Sequence, residues 1–111
     1  MSVEHVDHGL YLLNAGDTPM SVARRVYGGD VHKVKNLLDA NPSDWSELYR
    51  VVVPGKKGRT AVVEDGESPH DMIRRMFPNQ PESIYLQPFF MWNGGVEAFI
   101  KAGETVFVPE R

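Results

Sequence analysis

The amino-acid sequence predicts an α+β protein made of two tandem copies of one strand–helix–helix–strand unit. The first observation behind this prediction is a repeat, since the stretch Ala15–Tyr27 returns about 50 residues later as Asp65–Phe77. The second is that each copy reads as a turn and then a short amphipathic helix. A repeat of about 50 residues makes half of the chain the unit that has to be explained.

The two copies agree most closely at the turn and at a pair of arginines. An acid follows the glycine of each turn (Asp17, Glu67), and a small hydroxyl residue follows the acid (Thr18, Ser68). The residues that recur identically are Gly16, Pro19, Arg24 and Arg25, which return as Gly66, Pro69, Arg74 and Arg75.

The hydroxyl residue and the proline predict where each first helix begins. A Thr or Ser side chain caps free N–H groups, and a proline at the first helical position loses no hydrogen bond. Apolar residues then fall within one arc of the helical wheel in both copies, which predicts a buried face. These residues are Val22, Ala23, Val26 and Tyr27 in the first copy and Met72, Ile73, Met76 and Phe77 in the second.

The rest of each unit is read from shorter signals. Asp30 caps a second helix whose apolar face holds Val31, Val34, Leu37 and Leu38. In the second copy, Pro81 starts the corresponding helix and Pro88 is expected to break or kink it after one or two turns. Short β-rich stretches supply the strands, namely residues 10–13, 48–53 and 60–63, and a final strand follows the turn within residues 102–109.

These signals give four segments along the chain. Residues 1–9 are polar and form an N-terminal arm. Residues 10–54 are the first unit, residues 55–59 are a Gly- and Lys-rich linker, and residues 60–111 are the second unit, which has diverged further.

Composition excludes several classes of protein. The chain has 111 residues, no cysteine and a net charge of −3, so it carries neither disulfides nor the basic stripe of a nucleic-acid binder. The first ten residues lack the pattern of a secretory signal, and no stretch is long and apolar enough to span a bilayer. We expect synthesis in the cytoplasm and no membrane partner.

The order of these motifs resembles the LysM module. The resemblance rests on Gly16-Asp17-Thr18, on Asn41-Pro42 after the second helix, and on the closing run Gly103–Pro109. It covers residues 10–109 as a tandem pair. It implies that each unit is a two-stranded antiparallel sheet with two helices on one face. The fold class expected from sequence is therefore two tandem LysM-like βααβ repeats.

The resemblance also implies a binding groove, because many LysM modules bind peptidoglycan or other N-acetylglucosamine polymers between the first turn and the loop after the second helix. In the first unit that groove would be formed by Gly16, Asp17, Thr18 and Pro19 facing Asn41, Pro42, Ser43 and Asp44. In the second unit it would be formed by Gly66, Glu67, Ser68 and Pro69 facing Asn93 and Gly94. Trp45 or Trp92 could cover a sugar ring.

LysM-like modules also serve without sugar, as adaptors in phage tails and baseplates, and the run from Arg24 to Asp30 is more similar to those proteins. The expected function is thus a non-enzymatic virion structural protein that contacts other tail proteins or itself, located in the virion after cytoplasmic synthesis. A glycan-binding module is the alternative, with a cytoplasmic location as the alternative to the virion.

The candidate protein-contact residues are aromatic or cationic. Phe89, Phe90 and Trp92 belong partly to the core of so small a unit, and the excess over what that core can bury is the candidate interface. Two arginine pairs, Arg24 with Arg25 and Arg74 with Arg75, are either a partner-binding face or a solvated helix side.

Neither catalysis nor a cofactor is expected. No nucleophile, base and orienting group stand in a recognisable pattern, so an enzyme is not predicted. His5 and His8, with nearby acids, could bind a metal, but a mobile polar arm is the stronger interpretation and no metal is predicted. Glu67 and Asp71 flank a helix N-terminus, where negative charge is favourable for electrostatic reasons alone.

Overall fold

The structure, a computed structural model, describes residues 3–95 and 101–110 and, for Val31, only the backbone. The strands are β1 (Glu4–Leu12), β2 (Arg50–Val62) and β3 (Thr105–Pro109). The α-helices are α1 (Pro19–Val26), α2 (Val34–Ala40), α3 (Pro69–Met76) and α4 (Ser83–Trp92), and a 3₁₀ turn, Val31–Lys33, leads into α2. No helix in these ranges is long and apolar enough to cross a bilayer.

The three strands form a single antiparallel sheet in the order β1-β2-β3, so the prediction of two tandem repeats, each with its own two-stranded sheet, is wrong. β2 serves both halves of the chain. Its first part, Arg50–Pro54, pairs with the second half of β1, and its last part pairs with β3. The closing strand of one expected unit and the opening strand of the next are one continuous strand.

Two segments that were expected to lie outside the strands belong to this sheet. Within the expected arm, residues 1–9, residues 4–9 instead form the first part of β1, where Glu4 lies opposite Thr60 and Val6 opposite Gly58. The expected linker, residues 55–59, lies inside β2. Gly55 has a φ of 79°, and the register between β1 and β2 shifts next to it, so the strand bends there without ending.

The first helix of each half begins as the sequence predicts. Thr18 caps α1 through a bond with Ser21, and Ser68 caps α3 through a bond with Asp71; both are reciprocal capping boxes with a proline in the first turn. Met72, Ile73, Met76 and Phe77 are all buried, as are Val22, Ala23 and Val26. The predicted faces of these two helices are confirmed except at Tyr27, which is half-buried.

The second helices depart from prediction. Asp30 accepts a bond from the backbone of His32 and so caps the 3₁₀ turn, whereas α2, which it was expected to cap, begins at Val34 without a side-chain cap. Leu37 is fully buried but Leu38 is 46% exposed, so the apolar face of α2 is narrower than predicted. α4 continues through Pro88, where a break was expected. Burial of Phe89 and Trp92 beyond the proline compensates for the missing backbone bond.

The core has two parts that interlock. One contains the buried faces of α3 and α4 with Val106 and Val108, and the other contains those of α1 and α2 with Val51 and Val53. Trp92 and Phe107 come from the second half of the chain but belong to the core of the first. Since Phe107 alternates with its two neighbours on β3, both faces of that strand are covered.

Gly9 marks the place where the halves meet most closely. A Cβ added to Gly9 would lie 2.5 Å from Cζ3 of Trp92 and 3.1 Å from Cε2 of Phe107. The Trp92 ring also meets the ring of Tyr11 edge-on at 5.8 Å between centroids. The sheet is thus curled enough for side chains of α4 and β3 to pack on β1, although β1 and β3 do not pair.

Candidate binding grooves

The β1–α1 turn is held together by the carboxylate of Asp17. One oxygen accepts the backbone N–H of Asn14, and the other accepts the Ser21 hydroxyl at 3.0 Å and Nη1 of Arg25 at 2.7 Å. The Asp17 side chain is 3% exposed. Its bonding capacity is therefore largely used within the turn, which leaves little for a sugar.

Arg25 extends this arrangement to the strand. Its Nη1 also donates to the Tyr11 hydroxyl at 3.0 Å. That hydrogen bond is the main cause that raises the pKa of Arg25, and the Asp17 charge adds to it. Arg25, a candidate for partner binding, instead fixes the first turn to β1.

The second half repeats this clamp with a longer acid. Arg75 donates through Nε and Nη2 to the two oxygens of Glu67, at 2.9 Å and 2.8 Å, and Nη2 also reaches the carbonyl of Val62. The hydrogen bonds from Arg75 are the main reason why the pKa of Glu67 is lowered. The carboxylate also accepts the backbone N–H of Glu64, so both turns are closed in the same manner.

The other two arginines are exposed. Arg74 contacts Asp71 at 2.5 Å and Glu82 at 3.4 Å, and Arg24 lies on the outer side of α1. Arg25 also keeps 44% of its side chain exposed despite its bonds, so Arg75, at 21%, is the least accessible of the four candidate arginines.

A groove of about 470 Å³ opens beside the first turn. It lies where the resemblance places a glycan groove, but only one of its walls matches the expected one. Gly16 and Asp17 line one side, and Trp45, Ser46 and Leu48 line the other, in place of residues 41–44. Thr18 and Pro19 do not line it and serve to start α1. The Trp45 Nε1–H is buried and has no hydrogen-bond partner among the described residues.

Three of the four residues expected on the far wall, Pro42, Ser43 and Asp44, are exposed. The fourth, Asn41, has an internal role: its amide bonds the carbonyl of Leu37 and both backbone groups of Val52. Asp44 accepts two bonds from Ser46 that lower the pKa of its carboxyl group and shape the loop. Asn41 is thus a structural residue of the helix–strand junction.

At the equivalent position in the second half, the expected groove residues have structural roles. Gly66 lies in the exposed turn and Ser68 caps α3, while Asn93 is 3% exposed and bonds the backbones of Phe89 and Phe107. The loop that should face this turn includes residues 96–100, which lie outside the described residues. The buried Asn93 is unavailable to a ligand.

A second groove, of about 460 Å³, runs along α4. Its floor contains Trp92 and Pro109, and its sides contain residues one turn apart on the helix. The side residues are Ser83, Ile84, Gln87, Pro88 and Met91. None of them is charged, and Met91 is 37% exposed. Because Pro88 has no N–H, the carbonyl of Ile84 is left without its helical partner on this side.

This groove corrects the aromatic interface expected from the sequence. Phe89 is fully buried and Trp92 is 2% exposed, while Phe90 is half-buried against the core. Their rings pack α4 onto the core, and Trp92 also lines the groove. The exposed apolar residue of that run is Met91, which a helical wheel drawn through Pro88 would have placed opposite Phe89.

Polar side chains also join the two halves. The Tyr49 hydroxyl donates to Glu104 at 2.6 Å, which raises the pKa of Tyr49. Nη1 of Arg50 donates to Oδ1 of Asn93 at 3.1 Å, and burial lowers the pKa of Arg50. Sequence reasoning missed this junction because the residues are more than 40 positions apart, with no local signal that relates them.

Comparison with known proteins adds no identification. No protein-family model matches the chain, and neither a curated protein nor a solved structure was found to match it.

Proposed function

We propose that the chain is a non-enzymatic, LysM-like adaptor protein of a virion, placed in a phage tail, baseplate or related particle, where it makes protein–protein contacts. The observation that carries this proposal is the uncharged groove along α4, with Met91 on its side. A groove with apolar walls and a few polar groups suits a protein segment. The resemblance of the turns and of the run from Arg24 to Asp30 to tail proteins points the same way.

The interlocked core also suits an adaptor. Trp92 and Phe107 lock the halves into one body, so a partner bound at α4 has a fixed orientation relative to the surface of α1 and α2. A connector needs this rigidity because a flexible joint would not hold its neighbours in register.

The test compares two methionines of equal exposure, Met91 and Met20, each 37% exposed. Met91→Gln places a polar group in the groove, and Met20→Gln places the same group on α1. Each variant is mixed with the structural proteins of its own particle, and capture is measured after a fold check by circular dichroism. We expect Met91→Gln to weaken capture at least tenfold and Met20→Gln to leave it unchanged. Equal capture by both variants would remove the groove from the proposal.

A second candidate function, peptidoglycan or N-acetylglucosamine-oligosaccharide binding, has one specific observation in its favour. Trp45 lines the groove beside the first turn, and indole rings stack well on sugars. The Asp17 carboxylate counts against it, since that group is 3% exposed and already accepts three hydrogen bonds.

Trp45→Phe separates the two candidates, because it reduces the aromatic surface against which a sugar ring would stack. Binding of chitohexaose is measured by calorimetry for the natural chain and for the variant. If the natural chain binds and Trp45→Phe binds several-fold more weakly, the result supports glycan binding in this groove. If the natural chain does not bind, glycan binding is excluded as its function. Substitution of Asp17 or Asn41 would not serve, since both residues hold the fold together.

A further inference from the structure

Most open sheet positions in this fold are occupied by side chains or by proline. On β3, the amide of Asn93 bonds both the N–H and the carbonyl of Phe107, and Pro109 has no N–H to offer. On the part of β2 that does not pair with β3, Asn41 bonds both backbone groups of Val52 in the same way. Phe107 and Val52 thus have no free backbone group for another strand, and Pro109 has no N–H to donate.

The outer edge of β1 is different, beginning with Leu10. Leu10 lies opposite Val52 in the register. Since Val52 gives both of its backbone groups to Asn41, it gives none to β1. The N–H and carbonyl of Leu10 therefore point away from β2, towards the outside of the sheet.

The backbone groups of His8 and Leu12, two positions before and after Leu10, also point outward. His8 lies opposite Pro54, which has no N–H and whose carbonyl accepts the Tyr27 hydroxyl at 2.7 Å. The N–H of Leu13 points towards β2 and donates to the carbonyl of Tyr49. The backbone N–H and carbonyl of Leu12, one residue earlier, therefore point outward. No described residue bonds the outward groups of His8, Leu10 or Leu12.

The earlier part of β1 is protected. Glu4, His5 and Asp7 place charged or titratable groups there, and the register shifts between Val6 and His8. Charge and irregularity are the usual means by which an edge avoids pairing. The open stretch is thus residues 8–12, where the side chains of Leu10 and Leu12 are half-buried.

We propose that two copies of the chain pair antiparallel through residues 8–12 of β1, about a two-fold axis at Leu10. In this register Leu10 faces Leu10 of the partner subunit, and His8 faces Leu12 of the partner subunit. Outward-pointing groups then meet outward-pointing groups, and each of these pairs forms two hydrogen bonds. The inference does not depend on the proposed function.

Two features favour a second copy over a different strand. In the described part of the chain, β1 has the one strand edge that is left open over several residues. Pairing of two copies therefore uses the open edge of both, and the assembly stops at a dimer. Charges also fit, because the register sets Asp7 opposite Leu13 of the partner subunit, and no two like charges face each other. A contact of five residues per copy is small, so the dimer forms at high protein concentration.

Proline substitution tests the pairing directly. Leu10→Pro removes the outward N–H and adds a ring at the edge, while no bond to β2 is lost. Leu10→Ala is the matched control, since it shortens the side chain and keeps the N–H. In sedimentation equilibrium from about 10 µM to about 1 mM, we expect a dimer for the natural chain and the alanine variant, and at least tenfold weaker dimerisation for the proline variant.

Should Leu10→Pro fail to fold, His8→Pro against His8→Ala gives the same comparison at an exposed residue. Amide hydrogen exchange supplies an independent readout in the natural chain. We expect the Leu10 amide to gain at least tenfold protection at high concentration, while the Tyr11 amide, bonded to β2, does not change. A natural chain that stays monomeric, or a dimer that survives both proline substitutions, would overturn the proposal.

Discussion

Asn41 and Asn93, at the ends of α2 and α4, make the same three hydrogen bonds, one to the last turn of their own helix and two to a residue of the next strand. For Asn41 the partners are the Leu37 carbonyl and both backbone groups of Val52, at 2.8–2.9 Å. For Asn93 they are the Phe89 carbonyl and both groups of Phe107, at 2.8–3.3 Å. The two halves of the chain therefore close by one mechanism.

Asn93→Ala should destabilise the fold more than Asn41→Ala. Asn93 is 3% exposed, so its loss leaves buried backbone groups of Phe107 without partners, whereas Asn41 is half-buried and water can replace part of its amide. We expect losses of about 2–4 kcal/mol and about 1–2 kcal/mol in the free energy of unfolding, measured by urea denaturation. Equal losses would mean that water reaches Phe107 as well.

Gly9→Ala should destabilise through a clash with the Trp92 ring, which lies 2.5 Å from the position of the new methyl carbon. We expect a loss of about 1–3 kcal/mol in urea denaturation. Gly29→Ala is the control, because it has open space and a φ of 90°, and should cost about 1 kcal/mol through backbone strain alone.

A double substitution separates the clash from other causes. Trp92→Leu removes most of the ring, so the cost of Gly9→Ala should fall in that background, and the two costs should not add. Full additivity would show that the indole moves aside without cost in the single variant.

The Glu67–Arg75 clamp should make stability depend on acid pH. Hydrogen bonds from Arg75 lower the pKa of Glu67 in the folded state. Its contribution is then fully present above the unfolded pKa, about 4.3, and is lost as the pH falls through the lower folded pKa. Glu67→Gln should cost about 1–3 kcal/mol at pH 7, and the difference from the natural chain should shrink between pH 5 and pH 3.

Asp39→Asn is the matched control for this measurement. Asp39 pairs with Lys35 on the surface, where the two side chains are 63% and 77% exposed. Its substitution should change the unfolding free energy by less than about 0.5 kcal/mol at pH 7. A difference for Glu67→Gln that stayed constant down to pH 3 would count against the ion pair as its cause.

The chain should unfold in a single transition. Trp92 and Phe107 complete the core around α1 and α2, so the first half loses two of its buried rings without the second. We expect residues 1–54 alone to show no cooperative melting by circular dichroism. In the whole chain, tryptophan fluorescence and far-ultraviolet ellipticity should follow the same urea curve. Two separate transitions would restore the independent units that the sequence predicts.

Helix starts could be predicted from the sequence because they depend on neighbouring residues. Thr18-Pro19 and Ser68-Pro69 cap their helices as expected, and the apolar spacing identified Val22 and Met72 as core. The turn acids were also found from the repeat. Arg25 and Arg75 were found from the repeat as well, but their pairing with these acids was not, because a clamp that spans eight positions through a turn has no period that indicates it.

The sheet could not be predicted because its pairing is decided at long range. The polar residues Glu4 and His5 predicted an unstructured arm, yet their backbones pair with β2 regardless of side-chain polarity. Gly55 and Gly58 read as a linker. Gly58 is instead covered by Phe107 and by the backbone of Val108, where a side chain has no room, a contact that exists only once β3 is in place.

The bent part of β2 has a consequence for how the chain can change in length. Residues 54–58 look like the segment most tolerant of insertion, since they are rich in glycine and lysine. In the folded protein they set the spacing between the pairs His8–Pro54 and Val6–Gly58. One added residue would shift the downstream part of β2 against β1 and β3 together and turn its side chains to the wrong faces. Insertions are therefore expected to be tolerated at the surface turns of this protein but not within residues 54–58, although that segment has the composition of a linker.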